Sequence, residues 1–357
     1  MRNLISIFLF ISIVSCNSED AKKPRHFSKV EIETLLQDSL LNIRALEIDN
    51  QGNFGFATSK GEIGGKSYEW DNYPSNDLTE QAKSTKQIKH DSIIPNFRAL
   101  AVTNNAGFVL SVGTPALLYK TTDSLKLVYK ESHEKSFYDS MAFWNDQEGI
   151  AIGDPTNDCL SIIITRDAGE TWTKLSCENL PKAIEGEAAF AASDTNIATV
   201  GEHTWVATGG MASRILYSSD KGKTWTVYNT PIIQGKKTTG IYSIDFYDAK
   251  LGFAIGGDYT QPNDTLKNKI RTTDGGQTWE VIANAKGPGY RSCVQFVPNS
   301  EGKELVATGF NGIDYSNDFG ISWKHLSDEG FYTLRFLNDS IAYAAGNGRL
   351  SKLTFKE

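Results

Sequence analysis

Thr165-Arg166-Asp167-Ala168-Gly169-Glu170-Thr171-Trp172 recurs three times further along the chain. The later copies are Ser218-Ser219-Asp220-Lys221-Gly222-Lys223-Thr224-Trp225, Thr272-Thr273-Asp274-Gly275-Gly276-Gln277-Thr278-Trp279 and Ser316-Asn317-Asp318-Phe319-Gly320-Ile321-Ser322-Trp323. The shared pattern is [Ser/Thr]-x-Asp-x-Gly-x-[Thr/Ser]-Trp, and its four Asp residues stand 53, 54 and 44 positions apart. A fixed motif at that period signals a repeat architecture. Its residue types suit a tight turn. Asp and Ser/Thr oxygens accept from backbone N–H groups, Gly is free to take φ > 0, and Trp opens the next strand as an apolar anchor. Four of the seven Trp residues stand in these copies. The motif is read as a structural turn, and its Asp residues are not taken as catalytic.

The motif resembles the Asp-box, the bacterial neuraminidase repeat of several β-propeller families. Outward from the boxes a longer unit appears, opening on a strand with alternating apolar residues. The apolar pairs are Leu46/Ile48, Leu100/Val102, Met141/Phe143, Ile244/Phe246, Val294/Phe296 and Leu334/Phe336, with Ala188-Ala189-Phe190-Ala191 supplying the seventh opening strand. A Gly- and Ala-rich second strand follows in each unit, as in Gly149-Ile150-Ala151-Ile152-Gly153. Seven units result, from about residues 44, 98, 139, 187, 241, 291 and 332. The expected fold is all-β: a single seven-bladed β-propeller of four-stranded antiparallel blades over residues 44–357. A strand from Lys29–Leu36 is expected to close the ring beside the last blade.

Residues 1–15 carry one Arg before an apolar run from Leu4 to Val14, too short for a membrane span and suited to a secretory signal. Ile13-Val14-Ser15-Cys16 resembles a bacterial lipobox, with Cys16 as the lipidated residue. Residues 16–43 then form the anchor, a polar tether and the possible closing strand. The address implied is the bacterial cell envelope, at the outer membrane, with the membrane met only through the lipid. The formal net charge is −7 and the basic residues are scattered, which argues against nucleic acid. No Cys/His spacing fits a metal, no Gly-rich phosphate loop precedes a helix, and no serine-hydrolase elbow occurs. Neither cofactor nor metal is expected, and the chain is read as a monomer. Cys159 and Cys177 flank the first box almost symmetrically. Two readings stand: a cross-strand disulfide, which an exported protein permits, or two free thiols facing opposite sides of the sheet. Cys293 is expected to be a buried free thiol.

Phe137-Tyr138-Asp139, Gly153-Asp154-Pro155, Gly186-Glu187-Ala188-Ala189-Phe190, Thr208-Gly209-Gly210, Gly256-Gly257-Asp258-Tyr259 and Gly289-Tyr290-Arg291-Ser292 resemble phrases of bacterial propellers related to the photosystem II stability and assembly factors. The resemblance covers most of residues 40–357. It implies an assembly factor that holds a partner protein. Some relatives carry the label "oxidoreductase", and the residues offer no redox-cofactor signature for it.

The opening strands start on one face of such a ring. Arg44, Arg98, Asp139, Glu187, Tyr242, Arg291 and Tyr332 are therefore expected around one channel mouth. Asp154, Arg214, Asp258, Tyr259 and Tyr290 are secondary candidates. The loops after the second strands, including Asp154, Gly209-Gly210, Asp258-Tyr259 and Asn347, are expected to lie less centrally, toward the opposite end or further along the channel wall. One reading of the ring is a wet channel lining. The other is recognition of a protein segment or a polar or glycan ligand. Two functional classes follow: a binding or assembly scaffold, or an Asp-box glycan-active hydrolase. For hydrolysis, Asp139, Glu187, Asp154 and Asp258 are the acids that supply a catalytic pair. Against a sialidase, Arg44 stands in Asn42-Ile43-Arg44-Ala45-Leu46 rather than in an Arg-Ile-Pro signature.

Overall fold

Alternating apolar residues bury one side of a strand, and small residues let neighbouring sheets approach closely. In the computed structural model, which describes residues 25–65 and 77–357, this pattern gives antiparallel four-stranded blades. The signal segment, Cys16 and the tether to residue 24 lie outside the described residues. Blade two, for example, runs Asn96–Val102, Gly107–Val112, Ala116–Thr121 and Leu125–Glu131 from the axis outward. The inner strands of the other blades start at Asn42, Tyr138, Ile197, Thr239, Cys293 and Thr333. Each inner strand lies beside the next, and the seventh lies beside the first, so the ring is closed.

Closure uses the first strand twice. Lys29–Ile48 is one 20-residue strand. Its first half pairs antiparallel with the last strand, from Lys29↔Lys356 to Gln37↔Arg349. After an irregular stretch its second half becomes the inner strand of blade one, paired with Phe54–Thr58. Phe27 seals the seam at 2% exposure, against Tyr315 and Phe355 at centroid distances of 4.8 and 5.3 Å.

The boxes stitch each blade to its predecessor. Asp167 Oδ1 accepts the Thr171 amide at 2.9 Å and its Oδ2 accepts the Thr171 hydroxyl at 2.7 Å, and the other three boxes repeat both bonds. The box Gly has two duties. Gly169 and Gly320 take φ near +80°, and a Cβ there would come within 2.2 Å of Phe108 and 2.3 Å of Phe253 in preceding blades.

Two corrections to the sequence reading arise here. Ala188–Ala191 is not the inner strand of blade four; that strand is Ile197–Val200. The loops after the second strands also share the end at which the inner strands start, because the two strands are antiparallel: Gly153 pairs with Tyr138, and Asp258 with Thr239. We call this end the upper face.

Cys159 and Cys177 are joined, with Cα atoms 5.5 Å apart, and Cys293 is a buried free thiol. The bond lies beyond the hairpin ladder, which ends with Leu175 donating to the Ile162 carbonyl, so it ties a loop to the short 3-10 turn Cys177–Asn179. For a separation of 18 residues, loop-closure entropy gives about 3 kcal/mol. The Cys159→Ser, Cys177→Ser double variant should lose about that much in urea unfolding, and thiol reduction should add nothing further to the loss in that variant.

Candidate functional site

The channel is not empty. Residues 189–196, between blades three and four, cross to the axis and are held by six of the seven blades. Arg44 Nη1 donates to the Ala192 carbonyl at 2.8 Å, and Arg98 Nη1 to that of Ala191 at 3.1 Å. The Ser193 hydroxyl donates to the Ser292 carbonyl, and the Thr333 hydroxyl to the Ser193 carbonyl. The Asp194 carboxylate accepts the amides of Leu100 and Met141 at 2.7 and 3.1 Å. The Ile244 amide donates to the Thr195 carbonyl, and Thr195 meets the Ser243 hydroxyl. These bonds satisfy backbone that would otherwise be orphaned in the interior. The run reads as a strand because Ala and Phe alternate in it. The signal against that reading is distance: eighteen residues separate position 187 from the second strand at Trp205, whereas nine to fourteen do so in the other units.

Around this axial segment the expected ring residues separate into two groups. Arg291 and Glu187 are committed to neighbours. Arg291 Nε and Nη2 hold Asp314 Oδ2 at 2.7 and 2.5 Å, and both side chains are buried. Arg214 grips Glu187 through two bonds, at 2.9 and 2.5 Å. Glu187 sits in a two-residue strand paired with Gly209–Gly210, off the ring position it was expected to occupy; Asn196 precedes the true inner strand. Asp258, whose loop carries Tyr259, is also occupied, accepting the Thr260 amide and hydroxyl at 3.0 and 2.6 Å.

Arg44, Arg98, Asp139, Tyr242 and Tyr332 remain at the upper mouth, with Tyr290, Tyr259 and Asp154 beside them. The Arg44 guanidinium lies 3.8 Å over the Tyr332 ring, and its buried Nε has no hydrogen-bond partner. Among the described residues neither Arg44 nor Arg98 has a salt-bridge partner. Burial, and then the neighbouring Arg44 charge, pulls Arg98 down to about 10. Asp139 is completely buried, and burial followed by the Asp154 charge holds it well above the usual carboxylate range, against the pull of Arg98. On the opposite side, Tyr242 stacks on Phe190 at 4.2 Å and meets Tyr290 edge-on at 4.8 Å. Tyr290 continues to Phe310 at 5.2 Å. The mouth therefore has a cationic side and an aromatic side. Next to the latter is a cleft of about 390 Å³ lined by Gln37, Phe310, Phe331, Tyr332, Asn347 and Arg349. Phe310 and Arg349 have no periodic position to mark them in the sequence; Phe331 stands one residue before the ring position of Tyr332, and Phe190 reads there only as part of an opening strand.

Burial raises Asp154 to about 6, while the Ala189 amide, 2.9 Å from its Oδ1, pulls the other way. Burial likewise raises Asp245 to about 6. A raised acid binds its proton more tightly in the folded state. Its stabilisation is complete below the unfolded value near 4 and is lost as pH rises through about 6. The thermal midpoint should therefore fall from about pH 4 to about pH 6.5 and level off above that. Asp154→Asn, which keeps an acceptor for Ala189, should make that fall shallower; an unchanged slope would remove Asp154 from the account.

No protein-family model matches the chain, and no curated protein matches it in sequence. Solved structures share its fold. YCF48 bound to a D1 peptide aligns with a TM-score of 0.63 at 12% identity, over 93% of this chain and 99% of that one. YCF48 from Cyanidioschyzon merolae aligns with a TM-score of 0.61 at 10% identity, over 92% and 98%. The GH74 xyloglucanase from Xanthomonas campestris gives 0.62 at 13% identity, over 90% of this chain and 53% of that one. The chain is thus similar in fold to these propellers.

Proposed function

We propose that the protein is a cell-envelope binding or assembly scaffold that holds a segment of a partner protein at the upper mouth. The observation that carries this reading is the pair Arg44 and Arg98: two partly buried guanidiniums that make no salt bridge with a described carboxylate, beside the Tyr242, Tyr290 and Phe190 rings, with the buried Asp139 the one acid whose charge reaches Arg98. A guanidinium buried without a counter-charge costs stability, and a carboxylate on an incoming segment offsets that cost through paired hydrogen bonds. The fold it shares with YCF48, solved with a D1 peptide, is in keeping with a peptide ligand. Ile13-Val14-Ser15-Cys16 supports a lipid anchor. Cys16→Ser should shift the protein from the membrane fraction to the soluble one, and unchanged partitioning would remove the anchor from the proposal.

The hydrolase reading has less support. Asp139 is fully buried, Asp154 accepts the Ala189 amide, and Glu187 is locked by Arg214, so none of the three stands as a free exposed carboxylate for a glycan. The test is a peptide array carrying Asp- and Glu-rich segments beside their Asn and Gln counterparts. The acidic set should bind, and Arg44→Ala plus Arg98→Ala should weaken that binding at least about tenfold, the effect of about 1.4 kcal/mol. Equal binding of the acidic and amide sets, or turnover of a polysaccharide, would overturn it.

A further inference from the structure

Nine large apolar side chains are conspicuously exposed among the described residues, from 39% to 65% of their surface. Eight of them stand on the upper face. Leu40 protrudes from the irregular stretch of the closing strand, and Ile93 and Ile94 precede the inner strand of blade two. Ile184 and Met211 flank the short Glu187–Ala188 strand. Tyr259 and Leu266 belong to the long loop of blade five, and Phe310 to the turn of blade six. The ninth, Ile321, lies in an Asp-box on the lower face. Single exposed apolar residues are ordinary when scattered over a surface. Here they are segregated to one end of the ring, around Arg44 and Arg98.

We propose that the whole upper face is a docking surface for a second, folded protein. Its contact surface would carry an apolar rim around a projecting Asp or Glu that reaches the two arginines. The apolar residues supply the rim, and the two guanidiniums, which make no salt bridge among the described residues, the complementary charge for the centre. Because the axial segment fills the channel, a partner cannot thread through the ring and must lie across it. Acidic and basic side chains share the rim, the exposed Asp91, Glu185 and Glu329 with the exposed Lys182, Lys236 and Lys267, so the rim has mixed charge and only the two arginines set a sign at the centre. The central carboxylate rests on the function proposed above; the rim does not.

The test is photo-crosslinking of the full-length protein in the cells that make it. p-Benzoylphenylalanine replaces Met211, Tyr259 or Phe310 on the upper face, or Ile321 on the lower. The three upper positions should give an adduct with the same protein, and Ile321 should give none. The linked partner peptides should place apolar side chains beside an Asp or Glu. Arg44→Ala plus Arg98→Ala should reduce the adduct about tenfold. Adducts with phospholipid, with a second copy of this chain, with unrelated proteins at each position, or equally at Ile321 would overturn the docking surface. So would no adduct at any upper position. If acidic peptides still bind the mouth in that event, the function proposed above stands and only the surface falls. If adducts form but ignore the arginine variant, the central carboxylate is wrong.

Discussion

Arg335→Ala should unfold roughly 4 °C below the parent protein, the shift expected for about 3 kcal/mol in a domain of this size. Arg335 is 7% exposed and stands where three elements meet. Its Nε holds Glu47 of blade one at 2.6 Å, its Nη1 donates to the Thr333 hydroxyl and the Leu334 carbonyl, and its Nη2 donates to the Asp194 carbonyl of the axial segment. Burial raises Glu47, Asp194 and Asp245, and the Arg335 charge opposes that rise in all three. Removing the guanidinium leaves Glu47 unpaired, and losing one partner of a buried pair costs about 3–5 kcal/mol. Glu47 retains some solvent contact, with 27% of its side chain exposed, so the lower end applies. Arg271→Ala is the control: its partner Glu280 is 62% exposed, and such a pair contributes about 1 kcal/mol at most. Equal shifts for the two variants would show that the axial segment is not what Arg335 secures.

Removing residues 25–37 should have a larger effect: loss of the single cooperative transition. The deletion strips the outer strand from blade seven and, with Phe27, the buried ring between Tyr315 and Phe355. It also removes Arg25, which bonds Glu304 at 3.1 Å and the Asp339 carbonyl at 2.8 Å. The milder Phe27→Ala should cost about 3–5 kcal/mol as a cavity in the core. Chemical unfolding followed by both tryptophan fluorescence and far-UV circular dichroism would check this. Coincident, parent-like transitions in the deletion would mean that the ring holds without its seam.

Much of the architecture is legible in the sequence, because each blade must satisfy the same packing and so repeats the same residues. The box Asp, Gly and Trp, the apolar pairs and the small second strands all mark positions that recur. Legibility fails where a segment answers to the ring as a whole. Ala188–Ala191 has the alternation of an inner strand, yet the run from Ala191 to Ser193 gives its carbonyls to Arg98, Arg44 and the Thr333 hydroxyl, from blades remote in sequence. The candidate site divides in the same way. That Arg44, Arg98, Tyr242 and Tyr332 come near one mouth follows from their equivalent places on the repeat. Whether a charge there is free depends on partners with no such place: Asp314 neutralises Arg291 from a third strand, and Arg214 does the same for Glu187.

The double use of the first strand also bears on how the molecule is made. Chain synthesis delivers residues 29–37 long before their hydrogen-bond partners in Asn347–Lys356. Throughout translation the early strand has an unsatisfied edge, and each newly finished blade leaves another. Open edges of this kind recruit other chains. The polypeptide between them must therefore wait for Asn347–Lys356 as its latch. A premature stop there would release an almost complete but unsealed arc, prone to polymerise through its two open ends.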